Sequence, residues 1–189
     1  MLQARTVLRH KAVVIPRINM NNMNNIKYIV VKDTENKELT FILGGCKQCE
    51  NIRQCGIREL QEETRGVLIN NRGEPLVNED NLVYSKSLSF KSLNRSRKER
   101  EKDVRERVKV SMLYHVFYVD LNISQDQFEY MQLSFLKKKT QTDQETSNIF
   151  MLTKPNLGKQ NMWRFMRENI LVFLEVNNRK WKKSRLPPQ

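Results

Sequence analysis

The stretch that decides the fold runs Gly44-Gly45-Cys46-Lys47-Gln48-Cys49-Glu50, then seven residues, then Arg58-Glu59-Leu60-Gln61-Glu62-Glu63-Thr64-Arg65-Gly66-Val67. Glu59, Glu62 and Glu63 stand at i, i+3 and i+4, so a helix puts all three carboxylates on one face. Like charges in that arrangement destabilise an isolated helix, and a structural reason for them is hard to find. A hard divalent cation bound through oxygens is the natural compensation. Mg2+ or Mn2+ held by few carboxylates leaves room for substrate phosphates. Gly44 and Gly45 let the backbone pass close to the helix or adopt positive φ. Arg58 can clamp a carboxylate with two parallel hydrogen bonds and so aim the ligands.

Upstream, the chain alternates like a sheet. Ala12–Ile18 and Ile26–Lys32 are β-branched runs separated by an Asn-rich loop, and Leu39–Leu43 is a third short strand ending at the Gly pair. The pattern then turns helical from Glu50 to about Thr64, with Arg65-Gly66 as its stop. Gly56, a poor helix former, falls inside that helix, which a close packing contact would explain. Downstream, Val67–Ile69 reads as a short strand and Leu82–Phe90 as extended. Val110–Leu121 is a strong strand, Ser124–Lys139 an amphipathic helix and Ile149–Leu152 a last strand. Asn161–Val176 has helical apolar spacing in Met162, Phe165, Met166, Ile170, Phe173 and Leu174. This is an α/β pattern in one domain over 1–176, followed by a basic tail over 177–189.

The 189 residues are enough to bury a core without disulfide staples. No apolar run approaches the roughly 20 residues that span a bilayer, so no membrane partner is expected. The charge points elsewhere: 34 Lys and Arg against 21 Asp and Glu give a net +13, a field that attracts polyanions, nucleic acid first. The surplus is clustered. Lys91–Lys109 holds nine basic and four acidic residues and reads as a solvated loop, while Lys137–Lys139 and Lys180–Arg185 add smaller patches. Arg95, Arg97, Lys98, Arg100, Lys137, Lys138 and Lys139 are the candidate RNA contacts. Cys46, Cys49 and Cys55 leave an odd count, so the sequence predicts no disulfide framework and a reducing compartment, with cytoplasm favoured and nucleus as the alternative. Zinc is disfavoured because no fourth ligand has the right spacing and His10 and His115 are far off in sequence.

The quoted stretch resembles the Nudix box, G-x5-E-x7-R-E-U-x-E-E-x-G-U with U aliphatic. Gly44, Glu50, Arg58, Glu59, Leu60, Glu62 and Glu63 fall in register. One departure stands out: Thr64 and Arg65 both intervene before Gly66, where the box has one residue. The added residue follows the carboxylates, so it should alter the helix exit without moving them. The G-G-C…R-E-L-x-E-E-T-R-G-V wording looks most like Nudix proteins encoded by large DNA viruses, decapping enzymes among them.

The resemblance implies a Nudix-like α/β/α sandwich with a mixed β-sheet and a phosphoanhydride hydrolase using Mg2+ or Mn2+. By the same resemblance Glu59, Glu62 and Glu63 would be metal ligands, with Glu63 or Glu62 also orienting or deprotonating water. Arg58 would clamp Glu50, with Glu59 a further partner, and Gly44, Gly45 and Glu50 would support the box. A loop Glu before a late strand assists in some members; Glu145 is the candidate and Glu129 the fallback. The expected substrate is an RNA 5′ cap, cleaved at its pyrophosphate bridge to release methylated guanosine diphosphate. The alternatives are a small nucleotide such as ADP-ribose, a dinucleoside polyphosphate or a nucleoside triphosphate, or a non-catalytic RNA-binding role. Tyr84, Phe90, Trp163 and Trp181 are the aromatics that could stack on a cap base, but each is better read as core or surface packing and none is taken as a site residue.

Overall fold

The computed structural model describes residues 5–19, 26–91, 108–138, 145–171 and 174. Seven strands form one mixed sheet. They are β1 (Arg5–Asn19), β2 (Ile26–Asp33), β3 (Leu39–Thr40), β4 (Ile42–Gly45), β5 (Val83–Lys91), β6 (Val108–Leu121) and β7 (Thr146–Thr153). The central path runs β3-β2-β1-β6-β5, with β4 also on β1 and β7 also on β2. β1 and β6 pair in parallel from Arg5↔Val108 to Ile18↔Leu121, and every other pairing is antiparallel. Strand β1 therefore begins well before the Ala12 that its apolar alternation marks, because backbone pairing with β6 extends it.

Period-2 alternation sends β1 into two cores. Ala12, Val14 and Ile18 face one side, where helices α1 (Ile52–Glu63) and α2 (Gln125–Lys137) contribute Cys55, Leu60, Phe128, Met131 and Phe135. Val13 and Ile15 face the other, against Leu157 of the short helix α3 (Lys154–Lys159) and against Met162, Phe165, Met166, Ile170 and Leu174. Helices thus cover both faces of a mixed sheet, as the α/β/α expectation requires. Among the described residues, no helix is long and apolar enough to cross a membrane.

Three local readings are corrected. Leu39–Leu43 is two strands, because the chain switches partners at buried Phe41: Leu39–Thr40 pairs with β2 and Ile42–Gly45 with β1. Val67–Ile69 forms no strand beyond a single bridge from Ile69 to Pro75; Val67 and Leu68 are buried beneath α1 as a loop. The 161–176 stretch is not one regular α-helix. Helix α3 precedes it, and Met166–Leu171 forms a π-helical turn, although its apolar residues are buried as their spacing suggests. Phe173 lies outside the described residues.

Candidate active site

Helix α1 is started by Asn51, whose side chain accepts from Gln54 N while Gln54 answers back to Asn51 N, a complete capping box. Glu50 therefore lies outside the helix, and its carboxylate is free for Arg58. Arg58 Nε and Nη2 donate to Glu50 Oε2 and Oε1 at 3.0 and 2.7 Å, and Lys47 N donates to Oε1 at 2.6 Å. Arg58 Nη2 also donates to the Gly45 carbonyl at 2.8 Å. Its Nη1 reaches Glu59 Oε1 at 2.7 Å and Glu62 Oε2 at 2.8 Å. One guanidinium thus gathers three carboxylates and the loop backbone. Its hydrogen bonds hold the Glu50 carboxyl down at about 2, and Glu50 in return raises Arg58 above its usual range.

The two glycines have different roles. A Cβ on Gly44 would sit 1.7 Å from Glu59 Cδ, so the missing side chain is the space the carboxylate occupies. Gly45 has open space around it and no positive φ; it contributes its carbonyl. Gly56 packs its bare Cα against β1, where a Cβ would stand 3.1 Å from Val14 Cγ2.

The far end of α1 is electrostatically the opposite. Glu63 is buried; its Oε1 takes a long 3.4 Å hydrogen bond from Leu43 N, and its Oε2 has no partner. Burial pushes its pKa well above the ordinary carboxyl value, and the charges of Glu59, Glu145 and Asp33 push further. Burial likewise raises Glu59, which Arg58 opposes and Glu62 and Glu145 reinforce. Glu145 is thereby brought within electrostatic reach of both, while Glu129 lies on α2 and accepts from Gln125 Nε2 at 2.9 Å.

Among the described residues, no three His, Cys, Asp or Glu side chains converge as a ready cation site. Arg58 draws Glu59 and Glu62 toward itself, and Glu63 points at Leu43 N. The donor chemistry nevertheless fits a hard divalent cation. An orphaned buried carboxylate oxygen on Glu63, the Glu59 carboxylate seated in a glycine cradle and the half-exposed Glu62 all lie on one helix face, and burial raises the proton affinities of Glu59 and Glu63.

The added residue after the carboxylates has a clear role. Gly66 N bonds the Gln61 carbonyl and Arg65 N the Glu62 carbonyl, a Schellman motif with Arg65 (φ 54°) at the left-handed position where glycine is usual. The Arg65 guanidinium donates to the carbonyls of Phe135 and Lys138, each at 2.9 Å, and of Thr146 at 2.8 Å, and stacks over the Phe135 ring. Thr146 Oγ1 returns a 2.7 Å hydrogen bond to the Glu63 carbonyl. Neither staple has a local sequence signature beyond the insertion itself.

The basic candidates divide. Lys137 is exposed in the last turn of α2, whereas Lys138 Nζ donates to the Arg65 and Gly66 carbonyls at 3.1 and 3.3 Å. Arg95, Arg97, Lys98, Arg100 and Lys139 lie outside the described residues, as do Trp181 and the 177–189 tail. Of the aromatics, Trp163 packs beside Phe165 on the second core, and Phe90 pairs through its backbone with Met112. Tyr84 is half-exposed beside Phe117.

One cysteine reading is overturned. Cys46 and Cys55 form a disulfide, their Cα atoms 5.1 Å apart because the loop folds back onto α1. The histidines, distant in sequence, are brought near by the sheet: Cys46 N donates to the His10 carbonyl at 3.0 Å, and His10 Nδ1 lies 2.9 Å from His115 Nε2.

No family model matches the chain, and no curated protein does. Solved structures do. A Listeria monocytogenes protein assigned as a NUDIX hydrolase is 16% identical, with a TM-score of 0.55 over 95% of this chain and 99% of its own. The NUDIX domain of Shewanella oneidensis NrtR, solved with ADP ribose, is 8% identical, with a TM-score of 0.57 over 90% and 88%. The Bacillus subtilis pyrophosphohydrolase BsRppH is 15% identical, with a TM-score of 0.53 over 94% and 84%. This chain has the Nudix fold.

Proposed function

We propose that the protein is a divalent-metal-dependent Nudix hydrolase that cleaves the pyrophosphate bridge of an RNA 5′ cap and releases methylated guanosine diphosphate. The observation that carries the hydrolase reading is the Glu63 carboxylate, buried with an unpartnered oxygen on the helix face it shares with the cradled Glu59 and with Glu62. A bound Mg2+ or Mn2+ would polarise the phosphoryl oxygens and lower the pKa of the attacking water. Glu59, Glu62 and Glu63 are the residues to hold it. The raised proton affinity of Glu63 suits it to take the water's proton, with Glu62 as the other candidate. Arg58 positions Glu59 and Glu62 and keeps the loop of Gly45 and Glu50 closed on the helix. Glu145 adds a further carboxylate at the Glu63 end.

Capped RNA is favoured over a nucleotide by charge. A net +13 suits a long polyanion whose phosphates add affinity by counterion release. The likeness of the box to those of large DNA viruses supports the same choice, and the reading sets the protein to work in the cytoplasm. The second reading is a small-nucleotide pyrophosphatase. It is supported by the fold shared with the Shewanella NUDIX domain that was solved with ADP ribose.

The test is hydrolysis of cap-labelled RNA with Mg2+ or Mn2+, ADP-ribose in parallel and Glu63→Gln as control. Methylated guanosine diphosphate released by the wild type, with a loss of about 10²–10⁴-fold in Glu63→Gln, is the expected result. ADP-ribose cleavage with untouched RNA would replace the substrate. Undiminished activity in Glu63→Gln would overturn the site.

A further inference from the structure

The hydrolysis reading leaves the cysteines unused. Cys55 is fully buried in α1, its Sγ 4.0 Å from the Gly44 carbonyl oxygen, and is bonded to half-buried Cys46. Cys49 lies in the loop between them, exposed and free. A bond that only stapled the loop would need no third sulfur. We propose that the trio is a thiol–disulfide exchange site built into the loop that cradles Glu59, with small thiols and their disulfides as its reactants.

Two reactions are available, and both balance. In the internal one, the Cys49 thiolate attacks Cys46 Sγ, the more accessible sulfur of the bond. The Cys46–Cys49 bond forms, the Cys46–Cys55 bond breaks, and Cys55 leaves as a thiolate that takes up a proton. In the external one, a small dithiol is oxidised to its disulfide while Cys46 and Cys55 are reduced to thiols. A small disulfide such as oxidised glutathione reverses it, releasing two small thiols.

The bond's position gives the exchange a consequence. It ties the loop to α1 three residues before Arg58, and its span contains Glu50. Gly45 and Gly44, immediately before Cys46, supply the carbonyl that Arg58 holds and the space that Glu59 fills. Moving the bond to Cys46–Cys49 releases that loop from the helix and leaves the polar contacts to hold it alone.

The experiment equilibrates the full chain in glutathione buffers of graded composition, quenches in acid, alkylates and maps thiols by mass spectrometry. The oxidised wild type should alkylate at Cys49 alone. Intermediate buffers should populate a Cys46–Cys49 species that Cys49→Ser abolishes. Dithiothreitol should lower Tm by about 5–10 °C in the wild type and leave Cys46→Ser unmoved. Three free thiols in every buffer would overturn the proposal, as would equal reduction rates in wild type and Cys49→Ser with no Cys46–Cys49 species. Only the activity arm rests on the hydrolase reading: reduction should slow ADP-ribose or cap hydrolysis reversibly by about 10-fold or more. An unchanged rate would refute the link to the cradle. A chain inactive in both states would count against the hydrolase reading, leaving the thiol map to decide the exchange.

Discussion

The two ends of helix α1 treat the same side chain in opposite ways. At its start, Glu50 has a bidentate guanidinium and a backbone N–H, and its carboxyl is held down at about 2. At its end, Glu63 is deeper and has one long hydrogen bond, and burial first, then the neighbouring Glu59, Glu145 and Asp33, push its proton affinity up. A carboxylate whose neighbours satisfy it contributes stability. One that its neighbours leave exposed to repulsion costs stability, and such a cost is tolerated where function requires it. Glu59 stands between the two regimes, buried like Glu63 but hydrogen-bonded to Arg58 like Glu50.

The sharpest way to break this arrangement is at Gly44. Its backbone is not left-handed, so Gly44→Ala should fold, but the new methyl would occupy the space of the Glu59 carboxylate and force it out. Metal-dependent turnover should fall about 10–100-fold, with the thermal midpoint changed far less. Titrating divalent metal against activity and comparing melting curves would check it, and a wild-type metal response would show that Glu59 is not a ligand.

A pH series on metal-free protein should separate the two ends. The folded state holds the Glu63 proton more tightly than the unfolded chain, whose ordinary value is near 4.5, so stability falls as pH rises through the window above that value. For Glu50 the folded value is the lower, so its contribution is complete above about 4.5 and is lost as pH falls toward 2. Urea melts in chelator should therefore show greatest stability at mildly acidic pH. Glu63→Gln should flatten the alkaline limb and spare the acid one. An unchanged alkaline limb would locate the slope elsewhere.

The smallest effect concerns Arg65. Arg65→Gly relieves a left-handed cost of about 1–2 kcal/mol but gives up three carbonyl hydrogen bonds and the ring contact. Arg65→Ala gives them up without the relief. Both should be less stable than wild type, with Ala lower than Gly by about 1 kcal/mol. The reverse order in denaturant melts would mean that the turn is not left-handed in solution.

What was legible in the sequence follows what is local. The helix, the carboxylate spacing and the β-branched runs each lie within about a dozen residues, and periodicity exposes them, although the Asn51 cap that sets the helix start was not read. The packing reason for Gly56 was also foreseeable, since a glycine inside a good helix needs a neighbour to explain it. Long-range features had no such signature. The early start of β1 depends on a partner more than a hundred residues away, and the Thr146 and Arg65 staples join segments some 80 residues apart. The disulfide was missed because counting cysteines says nothing about a loop that doubles back. At the C-terminal end the apolar positions were right and the helix type was not, because spacing reports burial and not hydrogen-bond register.

The parallel pairing of β1 with β6 has a consequence for how the molecule is made. Those strands form the middle of the sheet, and β4 is hydrogen-bonded to β1 with Ala12 opposite Gly44. On a ribosome, the first strand is therefore synthesised long before its central neighbour exists. β4 has its partner β1 early, but the other edge of β1 stays open until roughly two thirds of the chain has emerged. Such non-local closure is slow compared with helix formation, and α1, with like charges on one face, gains lasting order only as the sheet assembles against it. A peptide comprising residues 44–67 alone would have Glu59, Glu62 and Glu63 and none of the site.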